Sequence, residues 1–260
     1  ALITNIFNPQ LSTIIMGGYY DNSLDMLLNN SSLIYWVIFI GSAALCWFVQ
    51  WNLQRKFDKY SRVLGFRGLT GREIAEKMLA DHGITDVQVV CIPGHLTDHY
   101  DPTKKQVNLS ESVYGSNSVM AEAVAAHECG HAVQHAVAYG PLTLRSKLVP
   151  TVSFASKWMQ WVLFGGMIAI SYTGDPTILT VGVILFSLTT LFAFVTLPVE
   201  VNASQRAVEW LDSRGYTDSV THDAAKDALH AAAYTYVAAA LSSLGTLFYY
   251  ILMLLGSRRR

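Results

Sequence analysis

The stretch His127-Glu128-Cys129-Gly130-His131 decides how the chain is read. It has the form H-E-x-x-H and sits within Ser118 to His135, a segment rich in alanine with the look of a helix. On a helix, residues four apart stand one turn above each other, so His127 and His131 can face a single ion. Glu128 then falls beside that ion, where a carboxylate can take a proton from an attacking water. This is the layout of a zinc hydrolase. Ser116, Asn117 or Ser118 can cap the helix. Gly140-Pro141 cannot continue it, which places its end near Tyr139. Cys129 points away from the two histidines and reads as a small packing residue.

Outward from the motif, the composition points to a membrane. The 260 residues are 52% hydrophobic and 14% charged, against about a quarter charged in a soluble domain. A net charge of −1 gives no electrostatic case for nucleic acid. Three scattered cysteines, Cys46, Cys91 and Cys129, form no disulfide framework and suit a reducing compartment. No basic residue precedes the first apolar run, so the N-terminal part does not read as a cleaved leader.

The apolar runs predict a mainly α, polytopic membrane protein with about four transmembrane helices. A small zincin-like catalytic part with a minor β-sheet completes the expected fold. Residues 1–31 form an extracytoplasmic arm free of Lys and Arg, and 32–52 the first span, with Trp36, Trp47 and Trp51 near its ends. Residues 53–150 are the soluble catalytic part. In it Thr70-Gly71-Arg72-Glu73 is a capping box, Val87 to Ile92 a strand and Gln106 to Leu109 a second. Asp98-His99-Tyr100-Asp101-Pro102 reads as a turn dense in polar groups. Residues 151–199 are a transmembrane hairpin closed by Thr173-Gly174-Asp175-Pro176, with Lys157 snorkelling. Residues 200–232 are soluble helices, and Thr221 can cap the last one. Residues 233–256 are a fourth span and 257–260 a basic tail. Topology carries a conflict: the loop 52–150 has eleven Lys and Arg, whereas the tail ends in Arg258-Arg259-Arg260. The loop outweighs the tail near the spans, which puts the motif in the cytoplasm.

A catalytic zinc takes three protein ligands and leaves one position open. His135 lies further along the helix and is rotated away. Among distant groups Glu200 is the best placed, at the return of the hairpin, with Glu122, Glu209, Asp212, His222 and His230 as rivals.

Three blocks carry a resemblance: Leu96 to Pro102, Val124 to Ala132, and Pro198 to Ala207. On them, from about residue 33 to the end, the chain resembles the YugP-like family of bacterial membrane-bound neutral zinc metallopeptidases. More distantly it is similar to the HtpX-type and CAAX prenyl gluzincin proteases. The resemblance implies Zn2+ held by His127, His131 and Glu200, with Glu128 as general base. In the distant relatives an Asp follows the ligand Glu by four residues; here Ser204 stands in its place, and Ala207 matches the Ala that follows. Arg206, His99 and Tyr100 are the candidate oxyanion or supporting groups beside Ser204. The reading is a membrane-embedded zinc metalloendopeptidase of the bacterial inner membrane, acting on peptides or membrane-protein segments near the bilayer surface. The alternative is a non-catalytic zinc-braced scaffold or subunit of a membrane quality-control complex.

Overall fold

The computed structural model describes residues 31–257. The expected N-terminal arm and the three terminal arginines lie outside the described residues.

Among the described residues seven helices and three strands follow one another: α1 (Ser31–Tyr60), α2 (Gly71–Asp81), β1 (Gln88–Ile92), β2 (His99–Asp101), β3 (Gln106–Ser110), α3 (Glu111–Tyr114), α4 (Val119–Ala136), α5 (Gly140–Thr173), α6 (Thr177–Ser213) and α7 (Ser219–Ser257). Among the described residues, three helices are long and apolar enough to cross a membrane: Leu33–Tyr60, Thr177–Ser213 and Ser219–Gly256. The expected fourth, in α5, falls short of that apolar density. Lys157 and Gln160, with the amphipathic rings of Trp158 and Trp161, dilute its second half. The strongly apolar span of a membrane helix needs about 20 residues with few polar groups.

The boundaries drawn from hydropathy are not breaks in the backbone. α5 begins already at Gly140, with Pro141 at its start, and passes through Pro150. α6 runs through Pro198 without interruption, so the apolar stretch and Glu200 share one 37-residue rod. Between α5 and α6 the chain turns at Gly174, whose φ of 72° is the left-handed conformation that ends a helix. Asp175 then accepts from both the amide and the hydroxyl of Thr177, at 2.9 and 2.6 Å, and opens α6. At α7 the cap is Asp218 rather than Thr221. The Thr221 amide donates to Asp218 Oδ1 at 2.8 Å, and Thr221 Oγ1 accepts from the Asp218 amide at 2.9 Å. Both residue types cap well, and the one three positions earlier takes the place.

The sheet is small, in the order β1-β3-β2, with β1 and β3 parallel and β2 and β3 antiparallel. β2 was expected as a turn. His99 pairs with Asn108 and Asp101 with Gln106, which makes it an edge strand. The turn chemistry lies just before it, where Gly94 and Leu96 have φ of 116° and 57°. Asp98 ties the strand to the sheet by accepting from the amide and hydroxyl of Ser110, at 2.7 and 3.1 Å.

One core joins these parts. Ile74 and Met78 of α2, Val107 and Leu109 of β3, Ala126 and Cys129 of α4, Leu211 of α6 and Ala228 of α7 are all buried in it. The predicted capping box opens α2: Thr70 Oγ1 accepts from the Glu73 amide at 3.3 Å, and Glu73 accepts from the Thr70 amide at 2.8 Å.

Candidate metal centre

α4 begins at Ser118, whose side chain accepts from the Ala121 amide at 3.2 Å. It ends at Ala136, a turn before the expected stop. Its face toward α6 holds His127 and His131. α6 crosses it closely at one point, where a Cβ placed on Gly130 would lie 2.7 Å from the Ala203 carbonyl oxygen. A side chain there is excluded, and the missing one lets α6 bring Glu200 over the histidine pair.

His127 Nε2 lies 3.4 Å, and His131 Nε2 3.5 Å, from Glu200 Oε2. Among the described residues these three form a group that can hold a metal ion, with ligand atoms within 4.8 Å of one another. Two ligand atoms about 2.1 Å from a tetrahedral zinc are separated by about 3.4 Å. The set therefore fits zinc in ligand type and in both histidine-to-carboxylate spacings.

The surroundings turn the ligand atoms inward. Gln134 Nε2 donates to the Val199 carbonyl at 2.8 Å and to Asn202 Oδ1 at 3.0 Å. That fixes the amide, and its Oε1 accepts from His131 Nδ1 at 3.0 Å. Ser204 Oγ lies 3.1 Å from His127 Nδ1. Each imidazole is thus engaged at Nδ1 and presents Nε2 to the centre, the arrangement that second-layer partners give to metal-binding histidines. Burial disfavours a charge on His131, but Glu200 and Glu128 outweigh it and hold its pKa above the ordinary value. The centre attracts positive charge. Glu200 Oε1, the oxygen turned away from the histidines, is 3.6 Å from Arg145 Nη1 of α5.

The centre opens into a cleft of about 300 Å³, lined by His127, Glu128, His131 and Glu200 together with His99, Tyr100, Arg145 and Tyr236. Of the expected supporting groups, Ser204 touches His127. His99 and Tyr100 reach the cleft from the edge strand β2. His99 Nδ1 is held by the Thr97 carbonyl at 2.8 Å, and Tyr100 Oη lies 3.5 Å from His135 Nδ1. Burial raises the Tyr100 pKa. Arg206 is not brought to the site. Six residues beyond Glu200 it leaves the ligand face, donates to Asn202 Oδ1 at 2.8 Å, and lines a separate surface depression with Asp81 and His82.

The rival ligands are elsewhere. Glu122 is buried against Gly65. Asp212 lies 3.6 Å from His222. Glu209 and His230 line a different pocket. Cys129 is fully buried with its Sγ 3.6 Å from the Ala75 carbonyl, and burial pushes its thiol pKa up. It is a packing residue, as expected. Sequence reasoning missed Gln134, Arg145, Tyr236 and Gly130. Gln134 carried a signal, being three residues from His131 on the same helix face. Arg145 and Tyr236 meet the site only through tertiary packing and carried none.

The chain matches, over residues 35–255, the profile of the family described as "Putative neutral zinc metallopeptidase". It is 41% identical over 226 residues to the Bacillus subtilis (strain 168) protein named "Putative membrane protease YugP", covering 87% of this chain and 99% of that relative. No solved structure matches it.

Proposed function

Because the chain belongs to this neutral zinc metallopeptidase family, we propose that it is a membrane-embedded zinc metalloendopeptidase. It hydrolyses peptide bonds of peptides or membrane-protein segments at the bilayer surface. The observation that carries the proposal is the convergence of His127, His131 and Glu200 within 4.8 Å, in a cleft that Glu128 also lines.

In this reading His127, His131 and Glu200 hold the ion. Zinc, when bound, supplies a Lewis acid that polarises the substrate carbonyl and acidifies water. Glu128 takes the proton of the attacking water and passes it to the departing amine. Ser204 and Gln134 keep the imidazoles in register during the reaction. Tyr236 lines the same cleft as Glu200 and is the phenol we assign to donate to the oxyanion. The edge of β2 offers backbone groups to an extended substrate.

For the membrane, we take the α5–α6 hairpin to cross as a unit, giving four spans. Gly166 admits the backbone of Leu179 and Gly182 the side chain of Leu163, so the two helices pack tightly enough to insert together. In this reading the catalytic part faces the cytoplasm, which the basic residues Arg55, Lys56, Lys59, Arg62 and Arg67 at and after the end of α1 support.

The test is Glu128→Gln with metal content and proteolysis measured on the same preparation. The variant keeps its zinc and loses activity by about a hundredfold or more, the share that a general base supplies. Full proteolysis in a zinc-loaded variant refutes the mechanism. His127→Ala, as control, loses the zinc.

A further inference from the structure

Glu200 is approached from two sides. Its Oε2 faces the histidines, 3.4 Å from His127 Nε2 and 3.5 Å from His131 Nε2. Its Oε1 faces the Arg145 guanidinium, 3.6 Å from Nη1. Among the described residues, Arg145 is the one Lys or Arg paired with this carboxylate, and Glu200 is the one acidic group paired with Arg145. The carboxylate is buried, at 4% side-chain exposure against 32% for the arginine. Charges this close and this sheltered act strongly on each other. A guanidinium also stays charged throughout the pH range of a folded protein.

The arginine arrives with the α5–α6 hairpin. α5 starts at Gly140 with Pro141 in its first turn, and Leu142, Arg145, Ser146 and Val149 line the cleft. Their spacing of three and four residues puts them on one face of the helix. Farther along, a Cβ on Gly166 would lie 2.6 Å from the Leu179 backbone, and one on Gly182 would lie 2.8 Å from the Leu163 side chain. Leu163 with Gly182, Gly166 with Leu179 and Arg145 with Glu200 are each centred on one point of the chain, between Tyr172 and Thr173. The two antiparallel rods therefore keep a single register from the glycine contacts to the ion pair, roughly 27 Å farther along the helix. The packing of the hairpin delivers the cation to the carboxylate.

A catalytic zinc site keeps its fourth position for water. A carboxylate has two oxygens, and turning both toward an ion fills that position. We infer that Arg145 is a positioning residue: by holding Oε1 on the outer side of Glu200, it keeps Glu200 a one-oxygen ligand and the water position open. The inference rests on the proteolytic reading for the use made of that position, but not for the effect on Glu200. A guanidinium beside a metal cation also repels it. Arg145 thus weakens metal binding, where Gln134 and Ser204 strengthen it.

The test uses the full-length chain in detergent micelles, loaded with cobalt(II), whose visible bands are strong in a four-coordinate site and weak in a five-coordinate one. The wild type should show the strong bands. Arg145→Leu should retain its metal and bind zinc at least as tightly as the wild type in competition with a chelator. It should lose most of the band intensity as the second oxygen turns in. Arg145→Lys, which restores a cation, should recover the strong bands. Cleavage of a peptide library, followed on the same preparations, should fall in kcat by about 10- to 100-fold in Arg145→Leu, with KM less affected. Weak bands in the wild type, loss of metal from Arg145→Leu, or unchanged bands in metal-loaded Arg145→Leu overturns the inference. So does a lysine variant as altered as the leucine one, which would assign the effect to packing rather than charge. A wild-type chain that binds cobalt and cleaves nothing rejects the protease, and the bands still decide the role of Arg145.

Discussion

Glu122 shows what one side chain can do to the whole protein's pH response. It is buried at 1% exposure on α4, its Oε1 has no hydrogen-bond partner, and a Cβ on Gly65 would collide with it. Burial raises its pKa from 4.5 to about 8, only partly countered by the Leu69 backbone amide. Near pH 7 the folded chain therefore keeps a proton that the unfolded chain has released. Below about 4.5 both states are protonated and the group is neutral in its effect. Between about 4.5 and 8 the unfolded state binds fewer protons, so stability falls as pH rises, and the loss is complete above the folded pKa. Glu122→Gln, which cannot ionise, should raise the thermal midpoint at pH 8 and flatten its pH dependence below that; calorimetry across this window checks it. Two further residues act on the metal instead. Gln134→Leu and Ser204→Ala each free one imidazole Nδ1, and each should weaken zinc affinity by about 10- to 100-fold, measured by competition with a chelator.

Residues of the two kinds were unequally visible from sequence. His127, Glu128 and His131 announce themselves by spacing, because their chemistry and the helix period coincide. Glu200 was reached by argument from the number of ligands a zinc needs and by family resemblance. Tyr236, a hundred positions beyond the motif, has no local signature at all. Arg206 was one candidate among several, and its spacing of six helical residues from Glu200 already turned it off that face toward a structural role; its guanidinium serves Asn202.

At the scale of elements, the crossing of α4 over α6 sets the geometry. The contact at Gly130 leaves no room for a methyl group beside the Ala203 carbonyl. Gly130→Ala should push the rods apart and carry Glu200 away from the histidines. A loss of bound zinc with the helical circular dichroism preserved is the expected result. Normal zinc content would show that the crossing tolerates a wider spacing. Glycine costs a helix interior roughly 1 kcal/mol relative to alanine, so its place in the middle of α4 is a hint in the sequence that a neighbour comes close. Element types were largely legible, from the capping box at Thr70 to the long apolar rods. Element limits were less so: hydropathy marks where an apolar stretch ends, whereas backbone hydrogen bonding carries α5, α6 and α7 straight past that point. β2 was hidden because its three residues are polar and follow a tight turn, and only pairing with β3 makes them a strand.

For the molecule as a whole, the two halves of the ligand set are divided in sequence by the α5–α6 hairpin. α4 supplies the histidines, and α6 supplies Glu200 only after the chain has run out along α5 and back. A fragment of residues 52–150 keeps the H-E-x-x-H helix and lacks the third ligand, and it should hold zinc far more weakly than the full chain. Equilibrium dialysis of both against radioactive zinc compares them directly. Equal affinity would place the third ligand within the fragment.

The unbroken course of α6 through Pro198 has a temporal meaning. During synthesis the motif helix leaves the ribosome first, while the carboxylate that completes its centre is still to be translated. On the proposed function, a hydrolase assembled in this order is inert beside neighbouring nascent chains until its own apolar hairpin has been made. The delay does the work of an inhibitory pro-segment without any peptide having to be cut away.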